Sequence, residues 1–336
     1  MSTSRAPETT SEWYTRFATR EARGVSPLYE SWALAVASDA RLLAAVDELP
    51  QQRRQPALVF AVARLVGAPE SGGVEVWRDW MLEHWPRVRA EAEVRLTQTN
   101  EPLRCAALLP VLAAIPGPLA LLEVGASAGL CLYPDRFSYA YDGREPLHPS
   151  DGESAVLLEC STNGLMDAPD RLPDIVWRAG IDLAPLDVNR PDDARWLETL
   201  VWPEQHQRLR RVRAAADIAR RDPPLLVAGD LTDALPALAA RAPADATLVV
   251  ISSGVLVYVP RAGRERFAET VGAMDAAWLS LEAAGLFDGV ARGIERATGI
   301  TDLAGRFALS LDGEPLALVA PHGGRIDWLP APPPVD

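Results

Sequence analysis

The sequence predicts an α/β protein: a parallel, doubly wound sheet preceded by an all-helical N-terminal region. Three observations carry this. Short, continuous apolar runs recur from Leu119 onward, beginning with L-A-L-L-E-V closed by glycine, the look of strands buried on both faces. Helix-patterned stretches such as L-T-D-A-L-P-A-L-A-A and R-E-R-F-A-E-T-V-G-A-M-D separate the early runs, and strands alternating with helices imply a parallel sheet. Before residue 117 the apolar residues fall in longer helical stretches and stripes with their caps and stops.

In chain order, Ser26-Pro27 places a cap residue before a proline suited to a first helical turn. Leu42, Leu43, Val46 and Leu49 form a helical stripe. Pro56 opens A-L-V-F-A-V-A-R-L-V, and Gly67 closes it. Trp77, Trp80, Met81 and Trp85 recur on one helical face and read as core rather than a ligand-stacking box. The pattern changes at Pro116-Gly117-Pro118. After the run at 119 come F-S-Y-A-Y (137–141), L-L-V-A-G (225–229), T-L-V-V-I-S (247–252), A-W-L-S-L-E (277–282), R-F-A-L-S-L (306–311) and L-A-L-V-A (316–320). The last two flank Asp312-Gly313, a hairpin signal. About seven strands ending in an antiparallel hairpin are the outline of a class I methyltransferase-like (Rossmann-like) fold. The expected organisation is a helical region over 1–116 and an α/β domain over 117–330. An insertion at about 143–222 ends in a long helix, and a proline-rich tail, 331–336, is expected to be disordered.

Composition removes several classes of chemistry. All 33 basic residues are arginine. With no lysine, a Schiff-base lysine, a Ser-Lys dyad and a Walker-A phosphate loop are excluded. The four histidines show no paired spacing, and the three cysteines are scattered, so no metal site is expected. A net charge of −13 argues against nucleic acid as a partner. The arginines at 208, 210, 211 and 213 read as a solvated helix face. No apolar run approaches the ~18 residues of a membrane span. The start M-S-T-S-R-A-P-E-T-T lacks the apolar core of a signal peptide. A cytoplasmic protein acting on a small molecule, with no membrane partner, is expected.

The most informative stretch is E-V-G-A-S-A-G-L, which contains a literal G-x-S-x-G. As a nucleophile elbow, Ser127 would attack an ester, with His322 later in the chain as its base. The HGGG-type oxyanion segment is missing upstream, and the strand before Ser127 is the first of its sheet. As a cofactor loop, Glu123 ends the first strand, and Gly125, Ala126, Ser127 and Gly129 are small enough for the methionine part of S-adenosylmethionine (SAM) to approach the backbone. The helix expected next offers free N–H groups. Asp142, closing F-S-Y-A-Y, would take the ribose hydroxyls, as in dinucleotide sites. Asp230 and Leu231, after L-L-V-A-G, would lie near the adenine. Ser252 and Ser253, after the fourth run, would flank the methyl donor.

L-L-E-V-G-A-S-A-G-L-C-L, together with Q-T-N-E-P-L-R-C-A-A-L-L, R-A-G-I-D-L-A-P-L-D-V, V-W-P-E-Q and H-G-G-R-I-D-W-L, resembles an uncharacterised bacterial family, domain of unknown function 2332. The resemblance spans nearly the whole chain. It implies a methyltransferase-like sheet behind a helical region and supplies no reaction. The chain departs from the family at Ile251, where a histidine tends to occur.

Candidate chemistry follows from position. Glu101 is the candidate general base, because methyl transfer to oxygen or nitrogen often needs one. Tyr258 is a candidate to orient an acceptor. Gln98 and Asn100 lie before the helix that leads into the first strand, and Trp202 and Glu204 lie in the insertion. These four are the candidate acceptor-binding residues, while Asn100 also suits a plain helix cap. Three readings stay open: a SAM-dependent methyltransferase, a binding protein that kept the fold without the chemistry, and a serine hydrolase.

Overall fold

The computed structural model describes residues 8–163 and 169–330; the tail 331–336 lies outside them. Among the described residues, 11 α-helices and 10 strands form two compact units.

The first unit comprises the residues up to Thr99 together with Arg190–Arg210. It is helical: α1 (Thr10–Phe17), α2 (Pro27–Ser38), α3 (Ala40–Asp47), α4 (Pro56–Val66), α5 (Val74–Val94) and, from the later segment, α7 (Pro191–Thr199). The punctuation read from the sequence is used. The Ser26 hydroxyl accepts from Tyr29 N at 3.1 Å to start α2, and Gly67 ends α4 at φ 108°, a left-handed position that favours glycine. The tryptophan face of α5 is core. Trp77 stacks on Trp32 with ring centroids 4.7 Å apart, while Met81 and Trp85 are buried. Trp80, at the margin, stacks on His84.

The second unit, Asn100–Asn189 with the residues from Arg211 onward, holds α6 (Arg104–Ala114) and the sheet. The strands are β1 (Leu119–Val124), β2 (Ser138–Tyr141), β3 (Leu157–Asn163), β4 (Ile175–Asp182), β5 (Leu225–Ala228), β6 (Thr247–Ser253), β7 (Ala277–Ala283), β8 (Phe307–Leu311), β9 (Glu314–Val319) and β10 (Arg325–Trp328). Helix α8 (His206–Arg221) runs across the unit boundary, and α9 (Leu231–Ala239), α10 (Arg261–Gly272) and α11 (Asp288–Thr298) follow the strands. The spatial order is β2-β3-β10-β9-β8-β7-β6-β1-β4-β5. The block β5-β4-β1-β6-β7 is parallel throughout, while β8 and β9 join it antiparallel. The β8–β9 turn has Asp312 at φ 51° and Gly313 at φ 83°, as an Asp-Gly hairpin requires.

Several expectations are corrected here. The sheet has ten strands rather than about seven, because β3, β4 and β10 carry no continuous apolar run. The stretch 143–222 is not a simple insertion, since it contributes β4, which pairs directly with β1. F-S-Y-A-Y does form a strand, β2, but it sits at the far edge, paired with β3. The helix expected after the glycine loop is also missing: a single 3-10 turn, Leu130–Leu132, leads on toward β2. No helix among the described residues is long and apolar enough to cross a membrane.

Candidate functional site

In a parallel sheet, ligands bind beyond the carboxyl ends of the strands, where the strand order reverses direction. Here that point is β1. The chain places β4 and β5 on one side of it and β6 and β7 on the other. Every residue of β1 is buried, and Glu123 lies in register with Gly180 of β4 and Ile251 of β6.

The loop from Gly125 to Gly129 is held from two sides. Toward β4, the N–H groups of Gly125 and Ala126 both donate to Ile181 O, at 2.8 and 3.1 Å. Asp182 accepts from Ser127 N at 2.8 Å and from Ala184 N at 2.9 Å. From the segment before α6, Asn100 Nδ2 donates to Ala126 O at 3.1 Å, and its Oδ1 accepts from Leu130 N at 2.9 Å. Asn100 therefore clamps the loop rather than capping a helix. The glycines answer to this packing. A Cβ on Gly125 would meet Val255 Cγ2 at 2.4 Å, and one on Gly180 would meet Ala126 Cβ at 2.4 Å. Ser127 itself has φ 51°, which is uncommon for a residue other than glycine.

Two polar atoms of this loop are buried without a hydrogen-bond partner: Glu123 Oε2 and Ser127 Oγ. Their residues are 4% and 1% exposed. Burial pushes the Glu123 carboxyl well above the usual carboxylate range, with Cys131 and Asp182 adding to the rise and Arg104 opposing it. Arg104, buried at the start of α6, donates from Nη1 to Ser253 O at 2.7 Å and from Nε to Pro321 O at 3.1 Å. On β7, Glu282 accepts from the N–H groups of Val255 and Leu256. Burial raises its pKa to about 7, and those backbone bonds limit the rise.

The structure brings Glu123, Gly125, Ala126, Ser127, Gly129 and Asn100 together in this way. Asp230 follows β5 and caps α9, accepting from Thr232 N at 2.8 Å, with Leu231 buried beside it. Ser252 is paired with Val124, and its hydroxyl accepts from Trp278 Nε1 at 3.1 Å. Glu101 is fully buried, its Oε1 bonded to Arg211 Nε at 2.8 Å; that arginine is thus not part of a solvated face. Tyr258 stands 72% exposed in a short turn after β6.

Other predicted residues lie elsewhere. Asp142 closes the edge strand β2, and its carboxylate is bonded to Thr162 N and Oγ1. These bonds hold its pKa below the ordinary value. Gln98, Trp202 and Glu204 belong to the helical unit. Trp202 packs on Phe17 and Tyr29, and Glu204 accepts from Leu28 N at 3.0 Å. His322 is exposed in the turn between β9 and β10. An elbow serine needs a strand before it and a helix after it; Ser127 has only the strand.

Sequence reasoning passed over Asp182, Leu183 and Glu282. Asp182 ends β4, and Leu183 beyond it is 70% exposed. The signal for Asp182 was present in A-G-I-D-L, an acidic residue after an apolar pair, as in L-L-E-V. Glu282 closes A-W-L-S-L-E in the same manner. Among the described residues, no group of three or more histidine, cysteine or acidic side chains is placed to hold a metal ion.

The family described as an uncharacterized protein conserved in bacteria (DUF2332) matches residues 11–328. No curated protein and no solved structure matches the chain.

Proposed function

Because the chain belongs to the uncharacterized bacterial family DUF2332, whose description carries no activity, we propose from the site alone that it is a SAM-dependent methyltransferase acting on a small molecule. One observation carries this reading. Carboxylates stand at or just beyond the ends of three adjacent parallel strands: Glu123 on β1, Asp182 on β4 and Asp230 after β5. The parallel block β5-β4-β1-β6-β7 with an antiparallel neighbour also agrees with a class I methyltransferase-like sheet, although β2, β3 and β10 extend it.

The residues fit the cofactor where the loop has polar atoms to spare. Glu123 Oε2 and Ser127 Oγ, both buried and without partners, suit the amino-acid end of SAM. Asp182 replaces Asp142 as the ribose ligand. Leu183 and Leu231 would border the adenine beside Asp230. When bound, SAM supplies an electrophilic methyl group. As a general base, Glu282 has a pKa near 7 that suits the role, but the residue is 3% exposed and its carboxyl holds the Val255 and Leu256 N–H groups. Glu101 is committed to Arg211.

A second reading, a binding protein without methyl transfer, is favoured by the missing helix after the loop, since a helix N-terminus commonly assists such sites. Incubation with methyl-labelled SAM and a bacterial metabolite extract separates the two. Formation of S-adenosylhomocysteine with label in a small molecule supports the enzyme. Cofactor binding without any turnover supports the binding protein, and no interaction with SAM removes both.

A further inference from the structure

Helices α10 and α11 pack on the same face of the sheet. Phe267 of α10 meets Trp278 edge-on, with centroids 5.5 Å apart. Val290 and Ile294 of α11 cluster with Ala308 and Leu318. Between the two helices the floor of the sheet is polar. Ser280 of β7 and Ser310 of β8 face each other across the ladder, 4% and 2% exposed, with their hydroxyl oxygens 2.6 Å apart. Over them lies a cavity of about 530 Å³, walled by Arg264, Trp278, Phe287 and the first turn of α11. None of its lining residues belongs to the glycine loop.

We propose that this cavity binds a small aromatic carboxylate. Two serine hydroxyls that share one hydrogen bond use one of their two protons. The second is left for an acceptor within the cavity that both serines line. Arg264 makes a neighbouring charge available. Its Nη1 donates to Val259 O at 2.9 Å and, among the described residues, it forms no ion pair. Arg261, by contrast, is taken up by Glu265 at 2.8 Å and Asp288 at 3.5 Å, two carboxylates that line the cavity with it. A ligand carboxylate satisfies both the serine proton and the guanidinium. The apolar part of the ligand meets Trp278, a wall fixed by its bond to Ser252 and by an edge contact with Phe287 at 5.7 Å. Flat rings stack well on such a surface. The volume lies within the ~300–1,000 Å³ range of small-molecule sites.

This site stands whether or not the glycine loop takes SAM. Calorimetric titration of the full chain with phenylacetate, benzoate and indole-3-acetate tests it, with phenylacetamide as the uncharged control. At least one carboxylate should bind, and phenylacetamide should bind at least ~10-fold more weakly than phenylacetate, the scale of one charge-assisted hydrogen bond. Arg264→Gln, on a partly exposed helix position, should weaken carboxylate binding by a similar ~10-fold while leaving the melting temperature unchanged. Ser280→Ala, which retains the fold by circular dichroism, should also weaken it. No heat from any of the three carboxylates at about 10 mM, or an affinity indifferent to both substitutions, would overturn the proposal.

Discussion

Replacement of Glu282 by glutamine should change how stability depends on pH. Glu282 is 3% exposed, and its pKa rises from 4.5 to about 7 in the folded chain. The rise means that folding favours the neutral acid. Stability is therefore complete below the unfolded value and is lost progressively between pH 4.5 and about 7. A rise of this size, at 1.36 kcal/mol per pH unit, corresponds to a loss of about 3 kcal/mol above the window. Glutamine can still accept from Val255 N and Leu256 N, and it never ionises. Relative to wild type, Glu282→Gln should thus gain up to ~3 kcal/mol between about pH 4 and pH 8. Comparison of the two proteins cancels the other titrating groups. The assay is a urea titration with a hydrogen-exchange pulse, read in peptides covering β6 and β7, so that unfolding of the sheet is followed by itself. An identical gap between variant and wild type at both pH values would refute the raised pKa.

Further outcomes follow from the loop geometry. Asp182→Ala should weaken SAM binding by ~1–3 kcal/mol, the scale of hydrogen bonds to a charged group; Asp142→Ala should leave it unchanged, as titration calorimetry will show. Gly125→Ala should destabilise the sheet unit by ~1–3 kcal/mol, because its Cβ would lie 2.4 Å from Val255 at φ 71°; urea unfolding measures this. Ser127 should resist labelling by fluorophosphonates, and Ser127→Ala should weaken SAM binding by ~1–3 kcal/mol, the scale of a hydrogen bond to a charged group. Stoichiometric labelling at Ser127 would instead establish the hydrolase reading.

Much of this architecture was legible because particular residues have few alternatives. Ser26, Pro56 and Gly67 mark helix ends through their own backbone and hydroxyl chemistry. The runs that became β1, β6 and β7 are mainly apolar because both faces are covered. Strand β4 was hidden by two residues that look out of place in such a run. Arg178 is buried there, paired with Asp135 at 2.7 Å and donating to Leu132 O. Gly180 is needed because Ala126 packs against its α-carbon. Both reasons are tertiary and do not show in a linear pattern. With β4 hidden, Asp182 was hidden too, and the ribose role fell to Asp142. Chain order alone could not show that β2 runs out to the far edge while β4 returns to pair with β1. Asn100 was placed near the site, yet a clamp on both sides of the loop cannot be told from a helix cap by residue type.

The claim that the glycine loop is a SAM site is tested most directly by calorimetric titration of SAM and S-adenosylhomocysteine into the wild-type chain and Ser127→Leu. The wild type should give saturable heat with one site per chain and a micromolar dissociation constant. The leucine, placed where the residue is 1% exposed, should abolish it without unfolding the helical unit. Absence of heat from the wild type at millimolar ligand, or equal binding by Ser127→Leu, would contradict the account.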